Sequence, residues 1–161
     1  MLKPNFQFNS ILDVSLDFLK ENKIKFIFLD VDNTIITYKG NRLIAGFKVW
    51  KDNVVINGIK LFILSNGKTN RVKKIAEKCS LEVIGMALKP LPFKLTSCIK
   101  SLNAKPEEVL LCGDQIWTDI ICAKLSGVTS VLLTPIKLEE ELSFKIRRYF
   151  ENKLMNKWNK K

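Results

Sequence analysis

The sequence predicts an α/β fold built on a doubly wound parallel sheet of about five strands, with no separate cap domain. Short apolar runs alternate with amphipathic segments along the chain, and strand–helix repeats of this kind form parallel sheets that are covered on both faces. The apolar runs end near residues 30, 65, 85, 113 and 133. A chain of 161 residues, 47% of them hydrophobic, is long enough to bury a full core in one domain.

The first half of the chain alternates three predicted strands with helices. The run at 26–29 is continuously apolar, which is typical of a strand that is buried on both faces of a sheet. The elements predicted up to residue 84 are an irregular lead-in, a helix at 13–21, a strand at 26–29, a small β-flap at 35–42, a helix at 43–56, a strand at 61–64, a helix at 70–79 and a strand at 81–84.

The second half continues the alternation and then changes character. Its predicted elements are a helix at 92–102, a strand at 109–112, a helix that Gly127 closes, and a strand at 130–133. From Leu138 onward, apolar residues recur every three to four positions, which predicts an amphipathic helix. We therefore expect residues 1–137 to form the core with a short N-terminal lead-in, and residues 138–161 to form a basic amphipathic C-terminal helix of the same domain.

The spacing of the elements leaves no room for a cap domain. Thirty residues separate Thr34 from Ser65, and the flap, one helix and one strand use them. Between Asn66 and Asp114 only core elements fit, whereas a separate domain needs roughly 50 residues or more. The carboxyl edge of the sheet should therefore be open to solvent.

The amino-acid composition excludes several kinds of chemistry. The chain contains no histidine, so a Ser-His-Asp triad, a phosphohistidine mechanism and a histidine-ligated zinc site are excluded. Proton transfer must then use Asp, Glu, Lys, Tyr or Cys. The four cysteines show no C-x-x-C spacing, which indicates reduced, buried thiols rather than disulfides or a zinc site.

The chain is strongly basic, with 27 Lys and Arg against 16 Asp and Glu and a net charge of +11. This balance favours anionic partners such as phosphates, nucleic acid or an acidic membrane surface, although it is also compatible with general solubility charge. From residue 142 onward there are seven basic side chains and one acidic side chain. The C-terminal helix either packs on the sheet with a solvated basic face or contacts an anionic membrane or RNA.

The chain shows no sequence feature of secretion or of membrane insertion. No apolar run approaches the roughly 20 residues of a membrane span. The N-terminus also lacks the continuous apolar region of a secretory signal. We therefore expect a cytoplasmic protein, which its basic helix could bring to the periphery of a membrane.

Polar side chains follow the predicted strands at the points where the strands end. They are Asp30 and Asp32 after the first strand, Ser65 after the second, Lys89 after the third and Asp114 after the fourth. The carboxyl ends of parallel strands meet at one edge of a sheet, where ligands bind. Asp and Asn also favour ordinary turns, but independent turns would not be expected to place every such group at the same edge.

These residue types suit phosphoryl transfer. Two or three carboxylates, from Asp30, Asp114 and Asp119, can bind Mg2+, a hard cation that prefers oxygen ligands. The metal ion and Lys89 would neutralise a phosphate that otherwise repels an attacking carboxylate, and Ser65 would hold phosphate oxygens. One aspartate could then attack phosphorus while another protonates the leaving oxygen.

Four segments, in this order, carry a resemblance to a known superfamily. They are Asp30-Val31-Asp32-Asn33-Thr34, Leu64-Ser65-Asn66, Lys89-Pro90, and Gly113-Asp114 with Asp119. They resemble the four motifs of the haloacid dehalogenase (HAD) superfamily over about residues 24–135. The Lys-Pro and G-D-Q-x-x-T-D details are similar to subclass IIIA, and to its YqeG-type phosphatases, which are related to the phosphatidylglycerophosphate phosphatases.

The resemblance implies a Rossmann-like fold and a catalytic role for each motif. Asp30 would be the nucleophile and a metal ligand. Asp32 would be the general acid and base, with its backbone carbonyl on Mg2+. Lys89 would stabilise the charge on the nucleophile and on the phosphate. Asp114 would bind the metal ion directly.

The resemblance also implies supporting roles. Thr34 and Ser65 would hold the phosphoryl group, and Asn66 would line the site. Asp119 would lie behind the metal ligands or orient Lys89. The chain departs from the YqeG-type pattern outside the catalytic set, with Gly67 where Asn is frequent and Ala123-Lys124 where Asn-Arg is frequent.

The implied activity is that of a Mg2+-dependent phosphomonoester hydrolase that acts through an aspartyl-phosphate intermediate. Aspartate at position 32 favours a phosphatase over a dehalogenase or a mutase. An open site suits a bulky phosphorylated substrate, such as phosphatidylglycerophosphate at a membrane. The alternative is a HAD-like binding module that holds RNA or a ribosomal particle through its basic surface, with weak or no catalysis.

Overall fold

Six strands form a parallel sheet in the computed structural model, which describes residues 2–67, 69–139 and 141–159. The strands are β1 (Phe6–Phe8), β2 (Phe26–Leu29), β3 (Lys60–Leu64), β4 (Glu82–Ile84), β5 (Val109–Gly113) and β6 (Thr129–Leu133). They lie in the order β1-β6-β5-β2-β3-β4, and all neighbouring strands run parallel. The predicted doubly wound fold is confirmed, with one strand more than the expected five.

Helices cover both faces of this sheet. They are α1 (Leu16–Glu21), α2 (Phe47–Ile56), α3 (Thr69–Cys79), α4 (Phe93–Ser101), α5 (Ile121–Ser126) and α6 (Leu142–Asn159). Successive side chains of a strand point to opposite faces. Ile27 and Leu29 of β2 therefore belong to the core on the side of α2 and α3, whereas Phe28 belongs to the core on the side of α4 and α5.

The additional strand, β1, lies where the sequence predicts an irregular lead-in. Its three residues, Phe-Gln-Phe, are too few for alternation to be recognised as a pattern. It pairs with β6 at the edge of the sheet, with Phe6 opposite Val131. The helix predicted at 13–21 is also divided, into a 3-10 turn at Ile11–Asp13 and α1.

The segment predicted as a β-flap forms a small bridged loop after β2. Two isolated bridges, Asp32–Ile36 and Ile36–Leu43, replace regular strands there. As predicted, the chain between Thr34 and Ser65 forms this loop, α2 and β3 without a separate cap domain. Within the residues that the structure describes, no inserted domain covers the carboxyl edge of the sheet.

The four cysteines are free thiols, as the absence of C-x-x-C spacing predicts. Cys79, Cys112 and Cys122 are buried, and Cys98 is half-buried. Burial raises the pKa of the Cys112 and Cys122 thiols above the ordinary value, so both are protonated at neutral pH. They act as small apolar side chains of the core.

The C-terminal helix α6 begins at Leu142, within the predicted range of 138–161, of which residues 140, 160 and 161 lie outside the described part. Met155 and Trp158 pack against a small apolar cluster of Ile116, Ile120 and Leu132. The opposite face exposes Leu142, Ile146, Tyr149 and Phe150 by 50 to 72%. Within the described ranges, α6 and the other helices are each too short or too polar to cross a membrane.

Candidate active site

The predicted site residues converge at the carboxyl edge of the sheet. Asp30 directly follows β2, Ser65 directly follows β3, and Asp114 directly follows β5. Lys89 lies in the loop between β4 and α4 and returns to the same edge, since its side chain contacts Asp30. These four side chains are all at least nine-tenths buried.

The Lys89 ammonium lies between two buried carboxylates. Its Nζ is 2.6 Å from Asp30 Oδ1 and 2.6 Å from Asp119 Oδ1. Burial by itself would lower the pKa of Lys89, but the neighbouring carboxylates of Asp119 and Asp30 outweigh burial and raise the pKa above its ordinary value. Lys89 is therefore a fixed positive charge at the centre of the site.

The backbone of Lys89 is held by Asn66. The Asn66 side chain donates from Nδ2 to the Lys89 carbonyl at 2.8 Å, and its Oδ1 accepts from the Lys89 N–H at 2.7 Å. The preceding residue, Leu88, has a φ of +57°, which is uncommon for a bulky residue and needs support from its surroundings. Asn66 thus uses its amide to fix the loop at 85–92 that carries Lys89, the lysine loop. The resemblance instead implied that Asn66 lines the site.

Asp119 is placed by a wide turn and by the absence of a side chain at Gly113. A single π-helical turn at Ile116–Ile120 carries Asp119, and such turns are frequent at functional sites. Asp119 Oδ2 accepts from the Gln115 N–H at 3.1 Å. A Cβ atom at Gly113 would overlap the Asp119 carboxyl group. Only glycine lets β5 come this close to the carboxylate that holds Lys89.

Three carboxylates form a group that can bind a divalent cation. Asp30, Asp114 and Asp119 each offer an oxygen within 4.8 Å of the others, and all three are buried. Asp119 uses both of its oxygens on Lys89 and Gln115. Asp114 Oδ1 is buried and has no hydrogen-bond partner among the described residues. An oxygen of this kind fits a hard cation, which would satisfy it.

The site carries too little positive charge for its carboxylates. Burial raises the pKa of Asp30 to about 6, Lys89 opposes this shift, and the Asp119 carboxylate adds to it. Burial also raises the pKa of Asp114 well above its ordinary value, against the opposing effect of Arg148. A bound divalent cation would favour the ionised form of both side chains.

Asp32 lies at the border of the site and faces the loop after β2. Its carboxylate forms an ion pair with Arg71 of α3 and accepts from the Lys39 N–H at 2.9 Å. Arg71 also donates to the Gly40 carbonyl at 2.9 Å, so one guanidinium holds both the loop and Asp32. The structure does not bring the Asp32 carboxylate into the group formed by Asp30, Asp114 and Asp119.

Two hydroxyl groups lie at the same edge. The Thr34 hydroxyl is buried and has no hydrogen-bond partner within the described ranges. Ser65 is buried, and its Oγ accepts from the Gly67 N–H at 3.1 Å. Both hydroxyls retain a donor hydrogen for an anionic ligand.

Sequence reasoning missed the residues that surround Asp114. Arg148 of α6 forms an ion pair with the Asp114 carboxylate, and Glu139 and Glu151 pair with Arg148 in turn. Asn33 donates from Nδ2 to Glu139 Oε1 at 2.9 Å. The sequence gives no signal for this, because Arg148 lies on the side of the predicted helix opposite Leu142 and Ile146, and an apolar stripe normally marks the packed face. The separation of 34 positions from Asp114 hides the contact.

The fold and the site together define a class of protein. This protein is a HAD-superfamily phosphatase, a phosphoric monoester hydrolase. Its parallel sheet carries an aspartate pair, a serine, a lysine and a further aspartate beyond the strand ends. The chain belongs to the mitochondrial PGP phosphatase family, whose sequence profile matches residues 1–136. The predicted family relationship is thereby confirmed.

Known proteins agree with this assignment. The chain is 25% identical over 158 residues to the probable phosphatase YqeG of Bacillus subtilis (strain 168). The matched region covers 98% of this chain and 92% of YqeG. It shares its fold with a HAD-superfamily hydrolase, subfamily IA, from Geobacter sulfurreducens PCA, with a TM-score of 0.57 at 14% identity, over 68% of this chain and 87% of the other.

A second solved structure with this fold was determined with ligands. It is 3-deoxy-D-manno-octulosonate 8-phosphate phosphatase from Moraxella catarrhalis, in complex with a magnesium ion, a phosphate ion and KDO. Its TM-score is 0.51 at 16% identity, over 63% of this chain and 65% of the other. At this level of identity the likeness concerns the fold.

The raised pKa of Asp30 makes a testable contribution to stability. Between the unfolded pKa of 3.8 and the folded pKa of about 6, the folded protein keeps a proton that the unfolded chain has lost. Relative to Asp30→Asn, the metal-free wild type should therefore lose about 2 kcal/mol of unfolding free energy from about pH 4.5 to about pH 7.5. Chemical denaturation with EDTA present measures this difference, and a difference that does not change with pH would contradict the assigned shift.

Gly113→Ala tests the close approach of β5 to Asp119. The new Cβ atom must displace the Asp119 carboxylate and so remove one of the two partners of Lys89. We expect phosphatase activity to fall by about 100-fold or more, because small displacements of catalytic groups have effects of this size. Circular dichroism separates this effect from loss of fold, and a folded variant with wild-type activity would show that Asp119 need not lie where it does.

Proposed function

We propose that the protein hydrolyses phosphomonoesters through an aspartyl-phosphate intermediate on Asp30, with Mg2+ as its cofactor. The observation that carries this proposal is the Lys89 ammonium placed 2.6 Å from both Asp30 and Asp119, together with Asp114 Oδ1, which has no hydrogen-bond partner among the described residues. A carboxylate attacks a phosphate dianion only when nearby positive charge offsets their repulsion. The Lys89 ammonium supplies such a positive charge. The raised pKa values of Asp30 and Asp114 indicate that this charge does not fully compensate the carboxylates, so a further cation would be favourable.

In the first proposed step, an Asp30 carboxylate oxygen attacks phosphorus. The new Asp30–phosphorus bond forms as the bond from phosphorus to the ester oxygen breaks. The leaving oxygen takes a proton from the carboxyl group of Asp32. For this proton transfer, the Asp32 side chain must turn from its present partners, Arg71 and the Lys39 N–H, towards the ester oxygen.

In the second proposed step, water releases the phosphate. Asp32, now a carboxylate, takes a proton from the water molecule as its oxygen attacks phosphorus. The bond from phosphorus to Asp30 breaks, which frees inorganic phosphate and restores the Asp30 carboxylate. Lys89, whose Nζ is 2.6 Å from Asp30 Oδ1, would stabilise the negative charge that returns to this carboxylate.

Asp30, Asp114 and the backbone carbonyl of Asp32 are the groups that would hold Mg2+. When bound, the ion would offset the charge of the phosphate and of the attacking carboxylate. The magnesium and phosphate ions of the Moraxella catarrhalis phosphatase support a metal ion in a site of this fold. Thr34 and Ser65 would donate to phosphate oxygens, while Asn66 and Asp119 would fix the position of Lys89.

We propose a phosphorylated lipid headgroup as the substrate, with phosphatidylglycerophosphate as the favoured member. The family supports this class of substrate by its description as PGP phosphatase. The absence of an inserted cap in the described chain leaves space for such a headgroup.

The rim of the site supports an anionic membrane surface as the partner. Two segments each place one cation at the carboxylates and expose apolar side chains to solvent. The lysine loop and the first residue of α4 expose Met86, Leu88, Leu91 and Phe93, and α6 exposes Leu142, Ile146, Tyr149 and Phe150. Lys145, Lys153 and Lys157 are also exposed on α6. Apolar and basic side chains on one face are the composition that binds the surface of anionic bilayers.

Turnover of lipid and soluble substrates with the wild type tests the proposed reaction. Phosphate release from phosphatidylglycerophosphate vesicles should require Mg2+ and should be lost in Asp30→Asn, which keeps the size of the side chain and removes the nucleophile. A panel of soluble phosphomonoesters in the same assay identifies the preferred substrate class. Activity in Asp30→Asn equal to that of the wild type would exclude Asp30 as the nucleophile. Retention on RNA without turnover of any phosphomonoester would favour the binding-module alternative.

Ile146→Ser together with Phe150→Ser tests the membrane surface. Both side chains are about half exposed, so the fold should not depend on them. Each substitution removes apolar surface that would enter the bilayer interface. We therefore expect vesicle binding to weaken by roughly tenfold or more. Cosedimentation with phosphatidylglycerol-containing vesicles measures this binding, and turnover of a soluble phosphomonoester should be unchanged.

The matched control for this surface is Val49→Ser with Ile56→Ser. These residues lie on α2, outside both rim segments, and are 75% and 84% exposed. The control should bind vesicles as the wild type does. Equal weakening by the two double variants would mean that general surface hydrophobicity, and not this rim, determines binding.

A further inference from the structure

Arg148 connects α6 directly to Asp114. Its Nη2 donates to Asp114 Oδ2, and its Nη1 donates to the Asp114 backbone carbonyl at 2.6 Å. One guanidinium therefore binds both the side chain and the main chain of this residue, which suits the planar fork of arginine. The other carboxylate oxygen, Oδ1, has no partner in the described part of the chain.

The guanidinium is itself held from its far side by two glutamates. Glu139 accepts from Nε at 3.2 Å and from Nη2 at 2.8 Å, and Glu151 accepts from Nη1 at 3.0 Å. Glu139 also accepts from Asn33, three residues after Asp30, at 2.9 Å. Glu151 also accepts from the Ile116 N–H at 2.7 Å. The position of Arg148 is thus fixed from the loop after β2 and from the turn after β5.

We propose that Arg148 is a positioning residue for the metal site, which makes α6 a structural part of the active site. By occupying Oδ2 and the carbonyl of Asp114, it fixes the carboxylate and leaves Oδ1 as its one oxygen available to a divalent cation. The inference rests on the proposed function, because it assigns that oxygen to the proposed Mg2+. It also reaches beyond the family match, which ends at residue 136, before α6 begins.

The charge of Arg148 serves the same purpose. The Asp114 side chain is completely buried, so water does not solvate its charge and a cation must compensate for it. Arginine keeps its proton under all physiological conditions. Arg148 therefore places a permanent positive charge against Asp114 on the side that the divalent cation does not use.

Calorimetric titration of the metal-free protein with MgCl2 tests this inference. Arg148→Met should weaken Mg2+ binding by about 10- to 100-fold, as changes to groups behind metal ligands do. Arg148→Lys should recover only part of the affinity, because one ammonium cannot reach both acceptors in the geometry of the fork. At high Mg2+ concentration the turnover number of Arg148→Met should return to that of the wild type, because the variant is defective only in binding the metal ion.

The matched control is Arg147→Met. Arg147 is on the same helix and carries the same charge, and among the described residues its hydrogen bond is to Gln115 Oε1 at 3.2 Å. The Mg2+ affinity of Arg147→Met should equal that of the wild type. If Arg148→Met does not fold, Glu139→Gln provides a milder test, because it removes one charge that fixes Arg148 and should weaken Mg2+ binding by a smaller factor.

The outcomes separate the inference from the proposed function. Weaker Mg2+ binding in Arg148→Met and unchanged binding in Arg147→Met would support a positioning role. Unchanged binding in both would overturn it and leave the proposed reaction intact. Tighter binding in Arg148→Met would also overturn it, because the guanidinium would then compete with the cation. No Mg2+ binding by the wild type would instead contradict the cofactor of the proposed function.

Discussion

The buried Lys89 ammonium is the charge on which the arrangement of this site depends. It joins Asp30 after β2 to Asp119 after β5, so it determines how closely the two strand ends can place their carboxylates. Removal of one partner from a buried ion pair typically destabilises a protein by about 3–5 kcal/mol, because the remaining charges lose compensation. Asn66 fixes the lysine backbone and Gly113 admits Asp119. The contacts that order these loops are therefore the same contacts that build the site.

The second constraint is a shortage of positive charge. Five carboxylates, those of Asp30, Asp114, Asp119, Glu139 and Glu151, face the two cations of Lys89 and Arg148. Burial raises the pKa values of Asp30 and Asp114, and a divalent cation would reduce the excess of negative charge and favour the ionised form of both side chains. Because α6 supplies one of the two cations, its inner face belongs to the site while its outer face stays available to a partner. Removal of α6 would disturb both functions together, so point variants on each face are needed to separate them.

The sequence predicts the fold and the convergence of the site well, because both follow from strongly patterned segments. Buried parallel strands need continuous apolar runs, and β2 to β6 begin and end within one residue of the predicted positions. Other features depend on contacts that no local pattern contains. β1 is too short to show alternation, and the pairing of Asp32 with Arg71 requires knowledge of how α3 packs. For α6, periodicity identifies the apolar residues but not which of them pack. The ion pairs through Arg148 and Glu151 go with a helix orientation in which Leu142 and Ile146 lie in solvent, whereas Trp158 packs against the apolar cluster of Ile116.

Isolation of an aspartyl-phosphate would test directly the proposed transfer of the phosphoryl group to Asp30. The Mg2+-loaded protein would be mixed with its preferred substrate, quenched in acid within one turnover and digested for mass spectrometry. We expect a phosphorylated peptide that is modified on Asp30 and that is absent from Asp30→Asn. Complete turnover with no phosphorylated Asp30 at any quench time, or a phosphoryl group on another residue, would contradict it.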